Sequence, residues 1–380
     1  MFTRASCLLF AVVLLSSCSD NKAQLGDTNV AVAPVSENSI LTSVGTWIKD
    51  KEGKVMLDPQ TSGLIDVNGQ LVTIADGSAV EMQQRKLHTI TPSNAELESS
   101  SNVFSMSSRV SRSCFSGYLK NAPDFEALAT DPFDDTVFYT VTEDATRTGT
   151  LSPRCEKAYE NTGSTDYPTL LVRLKLGNDG NISMTHVRPL QFPLSLNVGN
   201  FPNDGIEGLA MASDGTLYLG LEKDTAGQPR VFTVNVSDTF WESKKFAVVD
   251  APALKLPTFS QGSHPINGLV LYTPAGETSY LLAAARNDNE LWIIDTTGKK
   301  DAKRIALSFE VEAQNGCAAY VMDNASIEGL AIIDNTLWLI NDPWKKNYLK
   351  NITCEPQAAY YEASAPLLFS IPLNDQWFNE

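Results

Sequence analysis

Three glutamates recur in the same short setting along this chain. They are Glu126 in Asp124-Phe125-Glu126-Ala127-Leu128-Ala129, Glu207 in Gly205-Ile206-Glu207-Gly208-Leu209-Ala210, and Glu328 in Ser326-Ile327-Glu328-Gly329-Leu330-Ala331. A fourth copy, Pro265-Ile266-Asn267-Gly268-Leu269-Val270, carries an amide at that place, and a fainter one, Ser62-Gly63-Leu64-Ile65, carries Ser62. If the repeats bring these positions to one centre, the carboxylates raise one another's pKa. A hard cation removes that conflict, and Ca²⁺ accepts about 6–8 oxygens from carboxylate, amide and water. The competing reading is structural: an acid at a strand start accepts hydrogen bonds from the neighbouring repeat and fixes one repeat to the next. The same glutamates could do both.

A second acid or amide follows each copy at the end of the next apolar stretch: Asp76, Glu143, Glu222, Asn287 and Asp342. These are candidates for the rim of the same centre. Basic residues come next in sequence, namely Arg147, Lys223, Arg286, and Lys345 with Lys346. On the same face they would clamp an anionic substrate such as a phosphate ester, Arg doing so with two parallel hydrogen bonds. A water activated by the cation would then be the nucleophile. As ordinary solvated loop charges they would do neither. The HExxH, GxSxG, P-loop and Rossmann signatures are absent. His88, His186 and His264 are scattered. Only His264, just before Pro265, is placed to reach a channel mouth, and a lone histidine on a β-rich chain is more often structural.

Each copy opens a β-hairpin, with a polar turn and a second strand expected at residues 71–75, 137–142, 217–221, 280–285 and 337–340. Third strands are expected at 170–176, 230–236, 291–295 and 366–371, and outer fourth strands at 183–188, 245–249 and 304–309. These stretches are rich in β-branched and aromatic residues and bounded by Gly, Asp, Asn and Pro. The step from Ser62 to Glu126 is 64 residues, and the next three, to Glu207, Asn267 and Glu328, are 81, 60 and 61. Such steps are too long for a helical solenoid and suit four-stranded propeller blades. The expected fold is therefore all-β, a single β-propeller of five or six four-stranded blades, the sixth to be assembled from residues 46–57 and 103–109. A propeller sets the first strand of every blade around a central channel, which is what would gather the glutamates.

Residues 1–17 hold one cation, Arg4, and then an apolar run too short to span a bilayer. They read as a secretory signal peptide. Leu15-Ser16-Ser17-Cys18 resembles the bacterial lipobox, which makes Cys18 the candidate lipidation site. More than one acyl chain anchors stably where a single chain is marginal. Ser19 rather than Asp after that cysteine implies transfer to the outer membrane of a Gram-negative bacterium. An ordinary signal peptide with an accidental cysteine is the alternative. Residues 18–43 read as the acylated cysteine and a flexible tether, and residues 44–380 as the propeller domain. Without the signal peptide 28 cations face 45 acids, a net charge of −17. That surface repels nucleic acid and attracts divalent cations. The expected partners are the membrane through the lipid anchor and either a small anionic substrate or an envelope protein, with the chain a monomer.

Four further cysteines remain, Cys114, Cys155, Cys317 and Cys354, which three pairings could join. The repeat frame separates them. Cys114 lies 12 residues before Glu126 and Cys155 lies 29 after, while Cys317 lies 11 before Glu328 and Cys354 lies 26 after. That equivalence favours Cys114–Cys155 and Cys317–Cys354. A metal site, without CxxC spacing or a neighbouring histidine, is the weaker alternative.

The Glu-Gly-Leu-Ala element, followed by Asp214-Gly215-Thr216-Leu217-Tyr218-Leu219-Gly220-Leu221-Glu222 or by Asn335-Thr336-Leu337-Trp338-Leu339-Ile340-Asn341-Asp342, resembles the phytase-like β-propellers, the family labelled for "esterase-like activity of phytase". The resemblance covers about residues 60–372 and implies calcium-dependent hydrolysis of phosphate esters. The Glu-Gly starts also resemble gluconolactonase-type propellers, in which acids and amides from separate blades hold one divalent metal. That resemblance makes Glu126, Glu207, Asn267 and Glu328 the candidate ligands. The expected function is a calcium-dependent hydrolase of phosphate esters or lactones. The alternative is a non-catalytic propeller scaffold whose loops bind an envelope protein or a small ligand.

Overall fold

Short apolar strands separated by tight turns, with no long amphipathic helix among them, bury their side chains by forming sheets that stack face against face. The structure, a computed structural model, describes residues 40–379 apart from positions 122, 144, 146–148, 201–204, 238, 276–277 and 315. Expectations for residues 1–17, Cys18 and most of the tether, and for Arg147, fall outside the described residues. Among those described, no helix is long and apolar enough to cross a membrane.

The chain runs through five antiparallel units. The first is Thr61–Val67, Gln70–Ala75, Leu87–Thr91 and Glu96–Ser100; the second is Phe125–Asp131, Asp134–Thr142, Leu170–Leu176 and Ile182–Gln191. The third has Ile206–Met211, Thr216–Leu221 and Arg230–Asn235, and the fourth has Gly268–Tyr272, Tyr280–Ala285, Glu290–Asp295 and Lys303–Val311. The fifth has Ile327–Ile333, Thr336–Asn341 and Leu367–Pro372. The strand Leu41–Trp47 pairs antiparallel with Leu367 and Leu368 and parallel with the end of Lys303–Val311, joining the outer strands of the fourth and fifth units.

The first strand of each unit packs beside the first strand of the next, and the fifth returns to the first. Five apolar cores lie one in each gap between neighbouring sheets. The sheets thus form a closed, propeller-like ring.

The repeated glycine is what lets the inner strands approach. A Cβ on Gly329 would lie 2.7 Å from Leu64 Cβ, one on Gly63 would lie 2.5 Å from Leu128 N, and one on Gly208 would lie 2.8 Å from Leu269 Cγ. At the same places the ladder slips. Ile206 pairs with Leu221 and Gly208 with Gly220, while Ile327 pairs with Asn341 and Gly329 with Ile340. Glu207 and Glu328 are therefore the extra residues of β-bulges, devices that re-aim a side chain. The second unit slips between Glu126 and Ala129, and there Thr140 Oγ1 donates to the Glu126 carbonyl at 3.0 Å.

Several expectations need correction. The stretches set aside for a sixth unit are used elsewhere. Thr46 and Trp47 belong to the strand that joins the fourth and fifth units, Lys49 and Val55 form a single bridge, and Ser105–Met106 pairs with Ser183 and Met184 of the second unit. The predicted fourth strand of the third unit shrinks to Ala247–Val248, which pairs with Leu190 and Gln191 of the second unit, while Asp250 bridges Thr233 of the third; Ala247 and Val249 are buried in the core between those two units. The strand Leu41–Trp47 begins inside the predicted tether, where Leu307 supplies a ladder partner to Leu41. The disulfides are Cys114–Cys155 and Cys317–Cys354, as the repeat frame indicated.

Two outcomes are expected for stability. Gly329→Ala forces a methyl group into Leu64 and the Gly63 backbone and lowers the urea midpoint by an amount equivalent to about 1–3 kcal/mol. The double change Cys317→Ser with Cys354→Ser opens a loop of 37 residues and lowers stability by about 4 kcal/mol in the chain-entropy model, read from the same unfolding curves.

Candidate metal centre

Because each inner strand begins at the same end of the ring, the repeated position is delivered to one place. Glu126, Glu207 and Glu328 are buried, and one carboxylate oxygen from each lies within 4.8 Å of the other two. Two further groups meet the same distance, Asp76 with Asp124 and Glu126, and Glu143 with Glu207 and Glu222. The three groups share Glu126 and Glu207, so seven carboxylates form one connected cluster. Asp342 lines the same basin, whose volume is about 750 Å³.

Burial is the main cause that pushes Glu126, Glu207, Asp76 and Asp342 well above the usual carboxylate range, and neighbouring acids add to it. Burial raises Glu328 to about 7, with Arg286 holding it down. Arg286 is the buried counter-charge. One of its terminal nitrogens donates to Glu222 Oε1 at 2.6 Å and the other to Glu328. Burial opposes its charge, but Glu328, Glu222 and Glu207 outweigh that and raise its pKa above the ordinary value. Ser62, at the glutamate position of the first unit, donates its hydroxyl to Glu126. Asp124 accepts from Gly77 N at 2.5 Å, and Asp76 accepts from Ser78 N at 2.6 Å and Ala79 N at 3.0 Å.

One guanidinium does not neutralise this set. Among the described residues, eight acids line the basin against four cations, Lys223, Arg286, Lys345 and Lys346. Unpartnered polar atoms accompany the excess. Asn267 is fully buried with both amide atoms unpaired, and Asp342 Oδ1 is buried and unpaired. Asn267 directly precedes Gly268 as Glu207 precedes Gly208, so it occupies the register position of the glutamates. Carboxylate and amide oxygens in that number fit a hard divalent cation.

The structure brings most of the residues expected at the site to one basin; Asn267 is buried but is not among its lining residues. The rim candidates Asp76, Glu143, Glu222, Asn287 and Asp342 and the cations Lys223, Arg286, Lys345 and Lys346 all line the basin. Arg286 departs from the expectation of an anion clamp, since both terminal nitrogens are committed to carboxylates. Lys345 Nζ donates to the Ser78 carbonyl at 2.8 Å. His264 is a structural latch, bonded to Asp288 at 2.9 Å and stacked on Phe259 at 3.5 Å. Sequence reasoning missed Asp124, whose place two residues before the glutamate is Gly205, Pro265 or Ser326 in other repeats. It also missed Trp344, half-exposed at the edge with its ring 5.5 Å from the Arg286 guanidinium.

No protein-family model matches this chain, and no curated protein matches it in sequence. The phytase-like resemblance rests on the repeat motifs alone. Solved structures are similar in general fold. The PQQ-bound form of an aldose sugar dehydrogenase from Streptomyces coelicolor is 10% identical over 86% of this chain and 96% of that one, at a TM-score of 0.35. A GH43 β-1,3-galactosidase with galactodeoxynojirimycin is 8% identical over 88% and 96%, at 0.46. A glycosyl hydrolase from Bacteroides ovatus is 12% identical over 86% and 85%, at 0.41. Likenesses at these scores carry no argument about what this chain binds or does.

The buried acids set a pH dependence. Their folded-state pKa values lie above the unfolded ones, so the protein binds more protons folded than unfolded and loses stability as pH rises. For Glu328 the window runs from 4.5 to about 7. In EDTA the melting temperature is expected to fall across that window. Millimolar Ca²⁺ is expected to restore it at neutral pH, by about 2.7 kcal/mol at a hundredfold excess over Kd. Identical melting curves in EDTA and Ca²⁺ would rule out the metal centre.

Proposed function

We propose that this protein is a five-bladed β-propeller, exported and held at the outer membrane through acylated Cys18, whose basin holds calcium and hydrolyses an ester. The convergence of buried Glu126, Glu207 and Glu328 carries this reading, and the buried, unpaired Asn267 amide at the equivalent place in the fourth repeat supports it. The two disulfides fit an oxidising, exported setting. The phytase-like motifs and the donor set both favour calcium, with Glu126, Glu207, Asn267 and Glu328 as its ligands. A bound divalent cation supplies Lewis-acid polarisation of a substrate oxygen and lowers the pKa of a nearby water. Arg286 holds Glu222 and Glu328 in place and offsets part of their charge. Trp344 offers an apolar face at the basin edge, and Lys223, Lys345 and Lys346 supply positive charge around it.

Charge separates the two substrate classes. With every acid ionised, as cation binding requires, the described residues of the basin carry eight acids against four cations, a formal −4 that one Ca²⁺ brings to −2. A neutral lactone enters such a basin more easily than a phosphate dianion, which calls for a second cation among the overlapping acid groups. The test is hydrolysis of δ-valerolactone and of para-nitrophenyl phosphate by the purified protein in Ca²⁺ and in EDTA, with Glu207→Gln alongside. The expected result is lactone turnover that needs Ca²⁺ and falls at least a hundredfold in Glu207→Gln, about 2.7 kcal/mol of barrier. Calcium binding without turnover of either substrate would leave the scaffold reading.

A further inference from the structure

A second cavity, of about 610 Å³, opens at the other end of the strands. The inner strand of the second unit starts beside the basin, close to Glu126, and ends at Asp131, which lines this cavity together with Asp214 and Gly215 from the hairpin turn of the third unit. Its aromatic wall is built in layers. Trp241 stacks parallel on Tyr139 at 6.0 Å, and the His186 ring lies 5.7 Å from Trp241. Phe133 stands beside them with 74% of its surface exposed. Trp241 is nine-tenths buried, yet its Nε1 has no partner, and neither does the buried Nδ1 of His186. Burial first, then the nearby Arg109 and Arg173, lowers the His186 pKa to about 4, so the ring is neutral at physiological pH.

The polar lining carries both signs. Arg109 donates to the Trp241 carbonyl, and Arg173 donates to Thr185 Oγ1 at 3.2 Å. On the other side Asp131 accepts from Tyr139, Asp214 accepts from Thr216 N at 2.9 Å, and Asp134 pairs with Lys175 at 2.6 Å. An anion entering here meets the carboxylates, a cation meets the arginines, and an apolar molecule leaves the buried Trp241 and His186 nitrogens unpaired, which is costly. Hydroxyl groups are donors and acceptors at once and suit a lining of this kind. A ring that is apolar on its face and hydroxylated at its edge also matches the aromatic wall. We propose that this cavity is a saccharide-binding site, independent of the carboxylate basin.

The test is binding of methyl α-glucoside, methyl α-galactoside and N-acetylglucosamine to the full-length protein in EDTA, with benzoate as an aromatic anion for comparison. Saturation-transfer NMR and calorimetry report the contact and the affinity. At least one saccharide is expected to bind saturably. Arg173→Ala and Phe133→Ala should each weaken it tenfold or more, about 1.4 kcal/mol, while Glu207→Gln leaves it unchanged. Phe133 is exposed, so that variant keeps the readout available should the arginine change disturb folding. Failure of all three saccharides to bind, binding that survives both cavity variants, loss of binding in Glu207→Gln, or binding of benzoate alone would overturn the proposal.

Discussion

The close approach of the five inner strands is the constraint on which the molecule depends. Sheets arranged in a ring are most crowded at the centre, where Gly63, Gly208 and Gly329 give way to atoms of the next unit. Crowding and chemistry are linked at this point. The bulges that accommodate the glycines leave Glu207 and Glu328 as extra residues, freed from the alternation that would otherwise set their direction. Closing the ring and gathering the carboxylates are therefore one act of packing.

That act creates an electrostatic problem. Burying Glu126, Glu207 and Glu328 together opposes their ionisation, and Arg286 answers only part of it by binding Glu222 and Glu328. A structural role for the repeated acids has partial support, since Glu126 accepts from Ser62 of the preceding unit. Glu328 likewise accepts from Arg286 of the preceding unit. A fixing role does not account for the density of acid, nor for an Asn267 amide buried with both atoms unpaired. The donors bind one unit to the next and retain capacity for a cation.

The outer parts of the ring are held differently. The cores between sheets are apolar and continuous, whereas the periphery relies on disulfides, short helices and single ladder pairs. Cys354 caps the helix Glu355–Glu362, and Cys155 lies in the helix Pro153–Tyr159, so each bridge pins a helical excursion to its unit.

The sequence by itself determined the all-β class, the hairpin repeat, the inner strands, both disulfides and most members of the acidic basin. Those features are local or periodic: strand composition, turn residues and a position that returns with each repeat are visible in one dimension. The strand 280–285 is found where it was expected, and Leu170–Leu176 likewise. Only the tertiary structure decided the rest. Leu41–Trp47 has no motif that marks it as the strand joining the last sheet, because its partners lie more than 250 residues away. Asp124 became part of the centre through Gly77 of another unit, and Arg286, expected to clamp an anion, became its counter-charge through Glu222 and Glu328. The aromatic cavity draws Arg109, Tyr139, His186, Asp214 and Trp241 from segments that share no repeat position. Distances between such residues are set by how the sheets stack, and stacking is a property of buried surfaces that no single stretch of chain contains.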